Sequence, residues 1–142
     1  MDPLQRVLRA SSGGGSGNHV DGDNTKMQNE EQIWQMVDAK KAEFIALSDR
    51  VFETPETLYN EYASVAEHMI MLKSEGFRVT EGICGMPTAV MGEAGDKGPV
   101  IAILGEFDAL PELSQTPGVA EPSPIETGGN GHGCGHNLLG AA

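Results

Sequence analysis

From Glu31 to about Phe52, apolar residues recur three or four positions apart: Ile33, Val37, Phe44, Leu47 and Val51. Lys40, Lys41, Glu43 and Asp49 fill the other face. That period predicts an amphipathic helix. Thr54-Pro55 ends it, because the residue before a proline is pushed out of the helical region. A second helix is predicted from about Tyr59 to Glu75, with Tyr62, Ala66, Met69, Met71 and Leu72 on one side and Gly76 as its stop. The methionines read as core filler, and His68, near the middle, reads as a surface histidine. After Gly76 the period shifts to two. Phe77, Val79 and Glu81 alternate with polar neighbours, and a corner at Gly82 and Gly85-Met86-Pro87 leads to a second short strand, about Thr88 to Gly92. Cys84 sits in that corner, with no second cysteine or histidine near it in sequence, and reads as structural. Beyond a turn at Asp96-Lys97-Gly98, Val100 to Leu104 is continuously apolar. Such a run marks a strand covered on both faces. Helix, helix, strand, strand, central strand is the order of an α/β domain with a mixed sheet flanked by helices.

Residues 1–30 carry no such periodicity. Ser11 to Asn18 is linker-like, and the following Asp, Asn and Gln residues offer little to bury, so 1–30 is expected to be a disordered arm and 31–142 the folded part. Arg6 and Arg9 beside Leu4, Val7 and Leu8 raise organellar targeting as an option, which Asp2 and the short apolar run oppose. The formal charge of -12, spread along the chain, argues against nucleic acid and anionic membranes as partners, since both call for a basic patch. No apolar run has the length of a membrane span. Cys84 and Cys134 are too far apart in sequence to imply a disulfide framework. A cytoplasmic, reducing setting is expected.

The candidate chemistry lies in Gly128 to Gly140. His132, Cys134 and His136 alternate there with Gly133 and Gly135, so in an extended segment all three point to one side. Thiolate and neutral imidazole suit zinc or a similar borderline metal. On spacing alone, a glycine-rich loop with solvated histidines and a buried cysteine stays open as the alternative. Glu106 and Asp108 follow directly on the predicted central strand, and ligands of open α/β sheets bind beyond the carboxyl ends of strands. The long loop from Glu112 to Gly129 would carry the three soft ligands back to those carboxylates.

The two segments together, Gly105-Glu-Phe-Asp-Ala-Leu-Pro111 and Gly129-Asn-Gly-His-Gly-Cys-Gly-His-Asn-Leu-Leu-Gly140, resemble the metal-dependent aminoacylase and carboxypeptidase family of amidohydrolases, and within it the aminobenzoyl-glutamate hydrolase group. The resemblance covers about residues 31–142. It implies the N-terminal portion of a zinc-peptidase-like catalytic domain, with one or two divalent metals, zinc or manganese. Carried onto this sequence, it makes Cys134 and His136 metal ligands and Asp108 the residue that holds a ligand imidazole by a hydrogen bond. Glu106 and His132 are weaker candidates. Asn137 stands where many relatives have Asp. The implied reaction is hydrolysis of N-acyl amino acid or aminobenzoyl-glutamate-like amides. The family's general base, remaining ligands and dimerising second domain would all lie beyond residue 142. Two functions follow: a portion of such a small-molecule hydrolase, inactive alone and homodimeric only when complete, or a non-catalytic, metal-binding or dimerising partner of a full-length relative.

Overall fold

The computed structural model describes residues 21–142, and of the expected arm 1–30 its first twenty residues lie outside them. Helix α1 runs from Asp21–Glu53, so the chain is already helical ten residues before the apolar period begins. The chain divides into two compact units after Lys41. In the first, Ile33, Trp34 and Val37 are exposed, contrary to the expectation that Ile33 and Val37 continue the buried stripe of Leu47 and Val51. Among the described residues, the apolar core lies wholly in the second unit.

In that second unit, the end of α1 is followed by α2 (Tyr62–Ser74), β1 (Arg78–Glu81), a short 3-10 turn (Ile83–Gly85), β2 (Val90–Glu93) and α3 (His136–Ala141). Glu56 reaches forward to cap α2. Its carboxylate accepts from the Ala63 and Ser64 amides and from the Ser64 hydroxyl at 2.8–3.0 Å. These are the amide groups that a helix start leaves without partners. At the other end Gly76, with φ 82, turns the chain as predicted, and the Phe77 amide closes onto Leu72 O. The strands form an antiparallel hairpin, Arg78 opposite Glu93 and Glu81 opposite Val90. Cys84 sits in the corner with φ 54, exposed and free.

Two expectations are corrected. Among the described residues the sheet is a two-stranded antiparallel hairpin, not a mixed sheet. The apolar run predicted to be its central strand is unpaired, with Val100, Ile103 and Leu104 exposed at 96%, 93% and 97%. A strand exists through hydrogen bonds to neighbours, and none of the described residues supplies them to 100–104.

The core joins Leu47 and Val51 of α1 to Ala141 of α3, with Met71 and Phe107 against them. His68, read from sequence as a surface residue, is buried. Its Nδ1–H donates to Ser64 O at 2.8 Å, and its ring stacks on Phe107 with centroids 4.6 Å apart. Sequence neighbours Glu67 and Met69 concealed this, because the buried face of α2 is Ser64, Val65 and His68.

Candidate metal centre

Asp108 leads into Ala109 and Leu110, which tie the segment down on two sides. The Ala109 amide donates to Glu56 O at 2.7 Å, and Leu110 exchanges two 3.0 Å bonds with Gly131. The intervening loop holds itself together around Gln115, whose amide group bonds to the backbone at Val119, Glu121 and Ser123. The glycine-rich segment is thereby returned to Asp108. Gly135, with φ 83, then turns the chain into α3, a conformation that glycine adopts without penalty.

His136, the first residue of α3, lies between the two carboxylates. Its Nδ1 is 2.8 Å from Asp108 Oδ1 and 3.0 Å from Asp108 O. A backbone carbonyl only accepts, so Nδ1 carries the proton and donates. On the other side of the ring, Nε2 is 3.2 Å from Glu106 Oε2. A neutral imidazole protonated at Nδ1 presents a lone pair at Nε2, and the carboxylate presents another. Two acceptors at that distance need a cation between them, either a proton or a metal ion. Ligand atoms of Glu106, Asp108 and His136 all lie within 4.8 Å of one another. The His136 and Asp108 side chains are mostly buried, while that of Glu106 is 68% exposed, so the group is anchored on one side and open on the other. One imidazole nitrogen with carboxylate oxygens is a donor set that fits a divalent cation of the zinc or manganese kind.

The other two soft residues are placed differently. Cys134 is exposed and free, outside this group. His132 is turned away: Nε2–H donates to Val51 O at 3.1 Å, and its buried Nδ1 has no partner. Burial lowers the pKa of His132 below its usual 6.5, against the opposing pull of the Val51 carbonyl. Its bond ties the loop to the end of α1. The same burial lowers that of His68, whose Nδ1 bond to Ser64 works the other way. His68 Nε2 faces the Gly140 backbone without a hydrogen bond of good geometry.

Asn137 is a second anchor that the sequence offered only as a departure from a pattern. Its side-chain amide donates to Ser48 Oγ at 2.9 Å and lies 3.4 Å from Ser48 O. Gly140 is the third. A Cβ on it would stand 2.8 Å from His68 Nε2, 2.9 Å from Phe107 Cβ and 3.0 Å from Glu106 O. The missing side chain is what lets α3 lie against the segment that carries Glu106 and Asp108.

The second unit is thus a small α/β unit with a carboxylate–histidine–carboxylate group at a loop junction. No protein-family model matches the chain. It is 43% identical to a subunit of the p-aminobenzoyl-glutamate hydrolase of Escherichia coli over 79% of this chain and 24% of the relative. It is 36% identical to thermostable carboxypeptidase 2 of Saccharolobus solfataricus over 74% of this chain and 28% of that one. Thermostable carboxypeptidase 1 of the same organism is 34% identical over 69% and 26%. Over most of its own length the chain is thus similar to these hydrolases and carboxypeptidases, and it spans about a quarter of the length of the relatives it matches. Among the described residues no helix is long and apolar enough to cross a membrane.

Proposed function

We propose that these residues form part of the metal centre of an amide hydrolase acting on N-acyl amino acid or aminobenzoyl-glutamate-like substrates. The observation that carries the reading is the clamped imidazole of His136, protonated at Nδ1 by its bonds to Asp108 and offering Nε2 beside Glu106. His136 Nε2 and Glu106 would hold the cation, and the family resemblance adds Cys134, exposed two residues before His136 and outside that group, as a further ligand. Asp108 fixes the ring and its tautomer, the task of a carboxylate behind a metal-bound histidine. A divalent metal held there by His136 and Glu106 would supply Lewis acidity toward the scissile carbonyl and toward water.

Amide hydrolysis also needs a group that takes the water's proton and gives it to the leaving amine. Both carboxylates beside His136 are engaged with its ring. We therefore propose that this chain by itself binds metal and does not turn over amides. A complete zinc site contributes about 10–16 kcal/mol to binding in small domains, and a partial one only a share of it, so micromolar or weaker affinity is expected. Zinc titration of the purified chain against a chromophoric chelator tests the reading. One zinc bound per chain and lost on His136→Ala supports it. Zinc uptake that His136→Ala leaves unchanged refutes it.

A further inference from the structure

Beside the clamped histidine the structure carries a cleft that the chemistry above does not use. It has a volume of about 240 Å³ and shares Glu106 and Asp108 with the metal group at one edge. That is below the roughly 300–1,000 Å³ of pockets that enclose a drug-sized molecule, so it suits one substituent of a substrate rather than the whole. Leu58, Met86 and Val90 supply its apolar wall, and Glu61 and Thr88 its polar floor. Glu61 is 6% exposed and accepts from Thr88 Oγ1 at 2.6 Å. One hydroxyl fills one of about four acceptor sites of a carboxylate, so Glu61 retains acceptor capacity at the floor. Tyr59, on the rim, is held at φ 66, a conformation uncommon for a bulky residue and one that tends to mark functional positions.

The charge of the lining decides what the cleft takes. Its ionisable groups, apart from the Tyr59 phenol, are the carboxylic acids Glu61, Glu106 and Asp108, with no lysine, arginine or histidine among the lining residues. A substrate carboxylate would be repelled and left without a donor, whereas an apolar or aromatic group ending in an N–H would match both wall and floor. We infer that this cleft holds the acyl half of the amide, an apolar or aryl group whose far end donates an N–H to Glu61, and that the carboxylate-bearing amino acid half lies outside it. This rests on the hydrolase reading for the name of the two halves, and on the cleft alone for its selectivity.

The test uses three small probes on the metal-free chain, followed by ligand-observed NMR: 4-aminobenzamide, benzamide and 4-carbamoylbenzoate. Binding in the order amine, unsubstituted, carboxylate is expected, with about tenfold between the first and last, the size of one charge-assisted hydrogen bond. Glu61→Gln should erase most of the preference for the amine. Because Glu61 is buried and its replacement threatens the fold, Leu58→Lys provides the second arm. Leu58 is exposed, and a cation there should raise the affinity for 4-carbamoylbenzoate several-fold. Equal binding of amine and carboxylate by the unaltered chain overturns the inference, as does a carboxylate affinity that Leu58→Lys leaves unmoved. Zinc uptake by His136 is measured separately, so loss of cleft selectivity with zinc binding intact condemns the cleft alone.

Discussion

Replacing Gly140 by alanine adds one methyl group at a place where three atoms already stand 2.8, 2.9 and 3.0 Å from where its carbon would go. Ordinary contact of that kind begins near 3.4 Å, so either α3 or the Glu106–Phe107 segment must give way by several tenths of an ångström. None of the obstructing atoms is the end of a flexible chain: His68 is buried and stacked, and the other two belong to Phe107 Cβ and a backbone carbonyl. His136 is four residues before Gly140, on the same face of α3. A retreat of the helix therefore opens the 2.8 Å bond to Asp108 and the 3.2 Å approach to Glu106 together. Overpacking of this kind costs about 1–3 kcal/mol in stability. Disturbing the support of a metal-bound histidine costs about 10–100-fold in affinity. Zinc competition titration, paired with urea unfolding to confirm a folded chain, reads both effects. Leu139→Ala, at an exposed position of the same helix, serves as the control and should keep its zinc. A folded Gly140→Ala chain that binds zinc as tightly as the parent would refute the claim that this close approach sets the site.

Further expectations concern the anchors and the chemistry. Asn137→Asp replaces a donor by an acceptor facing Ser48 O, and should lower stability by about 1–3 kcal/mol, seen as a lower melting temperature; an unchanged melting temperature would rule out the anchoring role. His68 and His132 both have pKa values lowered by burial. Above pH 6.5 both states are neutral and the effect is silent; as pH falls below 6.5 the unfolded chain takes up protons that the folded one resists, so stability declines. Urea midpoints at pH 7.5 and 5.5 should show that decline, smaller in His68→Gln and His132→Gln, and equal slopes in all three chains would contradict it. Supplied with zinc, manganese or cobalt, the chain should not hydrolyse p-aminobenzoyl-glutamate or N-acyl amino acids, since both carboxylates beside His136 are engaged with its ring and lack of a general base costs on the order of 10²–10⁴ in rate. Metal-dependent turnover that Cys134→Ser removes would show a working base among these residues.

Local patterns were legible in the sequence, and pairings across distance were less so. The helix stop at Gly76 and the hairpin corner each follow from residues a few positions apart, whereas the return of the glycine-rich loop to Asp108 spans 28 positions. The resemblance implies only that Asp108 holds a ligand imidazole, and it is the fold that pairs it with His136. The Val100–Leu104 run was misjudged for the opposite reason. Its apolar character records the cover a central strand requires, while its pairing depends on neighbours that composition does not name. His68 was misplaced because a helix face is set by what packs against it, here Phe107 and Gly140, both far along the chain. In the sequence Glu106 is a weaker candidate, since alternation with Asp108 does not show that its carboxylate reaches Nε2 of His136. His132 is indistinguishable by spacing from Cys134, and its burial and its bond to Val51 O separate it from the exposed cysteine.

X-ray absorption at the zinc edge, on the chain loaded with one equivalent, decides whether His136 and Cys134 hold the cation. The expected spectrum is that of an imidazole among oxygen donors, with one sulfur at about 2.3 Å contributed by Cys134. Cys134→Ser should remove the sulfur, His132→Ala should change nothing in the coordination shell, and His136→Ala should lose the imidazole signal with most of the zinc. A His136→Ala chain that keeps its zinc and the parent spectrum would contradict the proposed centre.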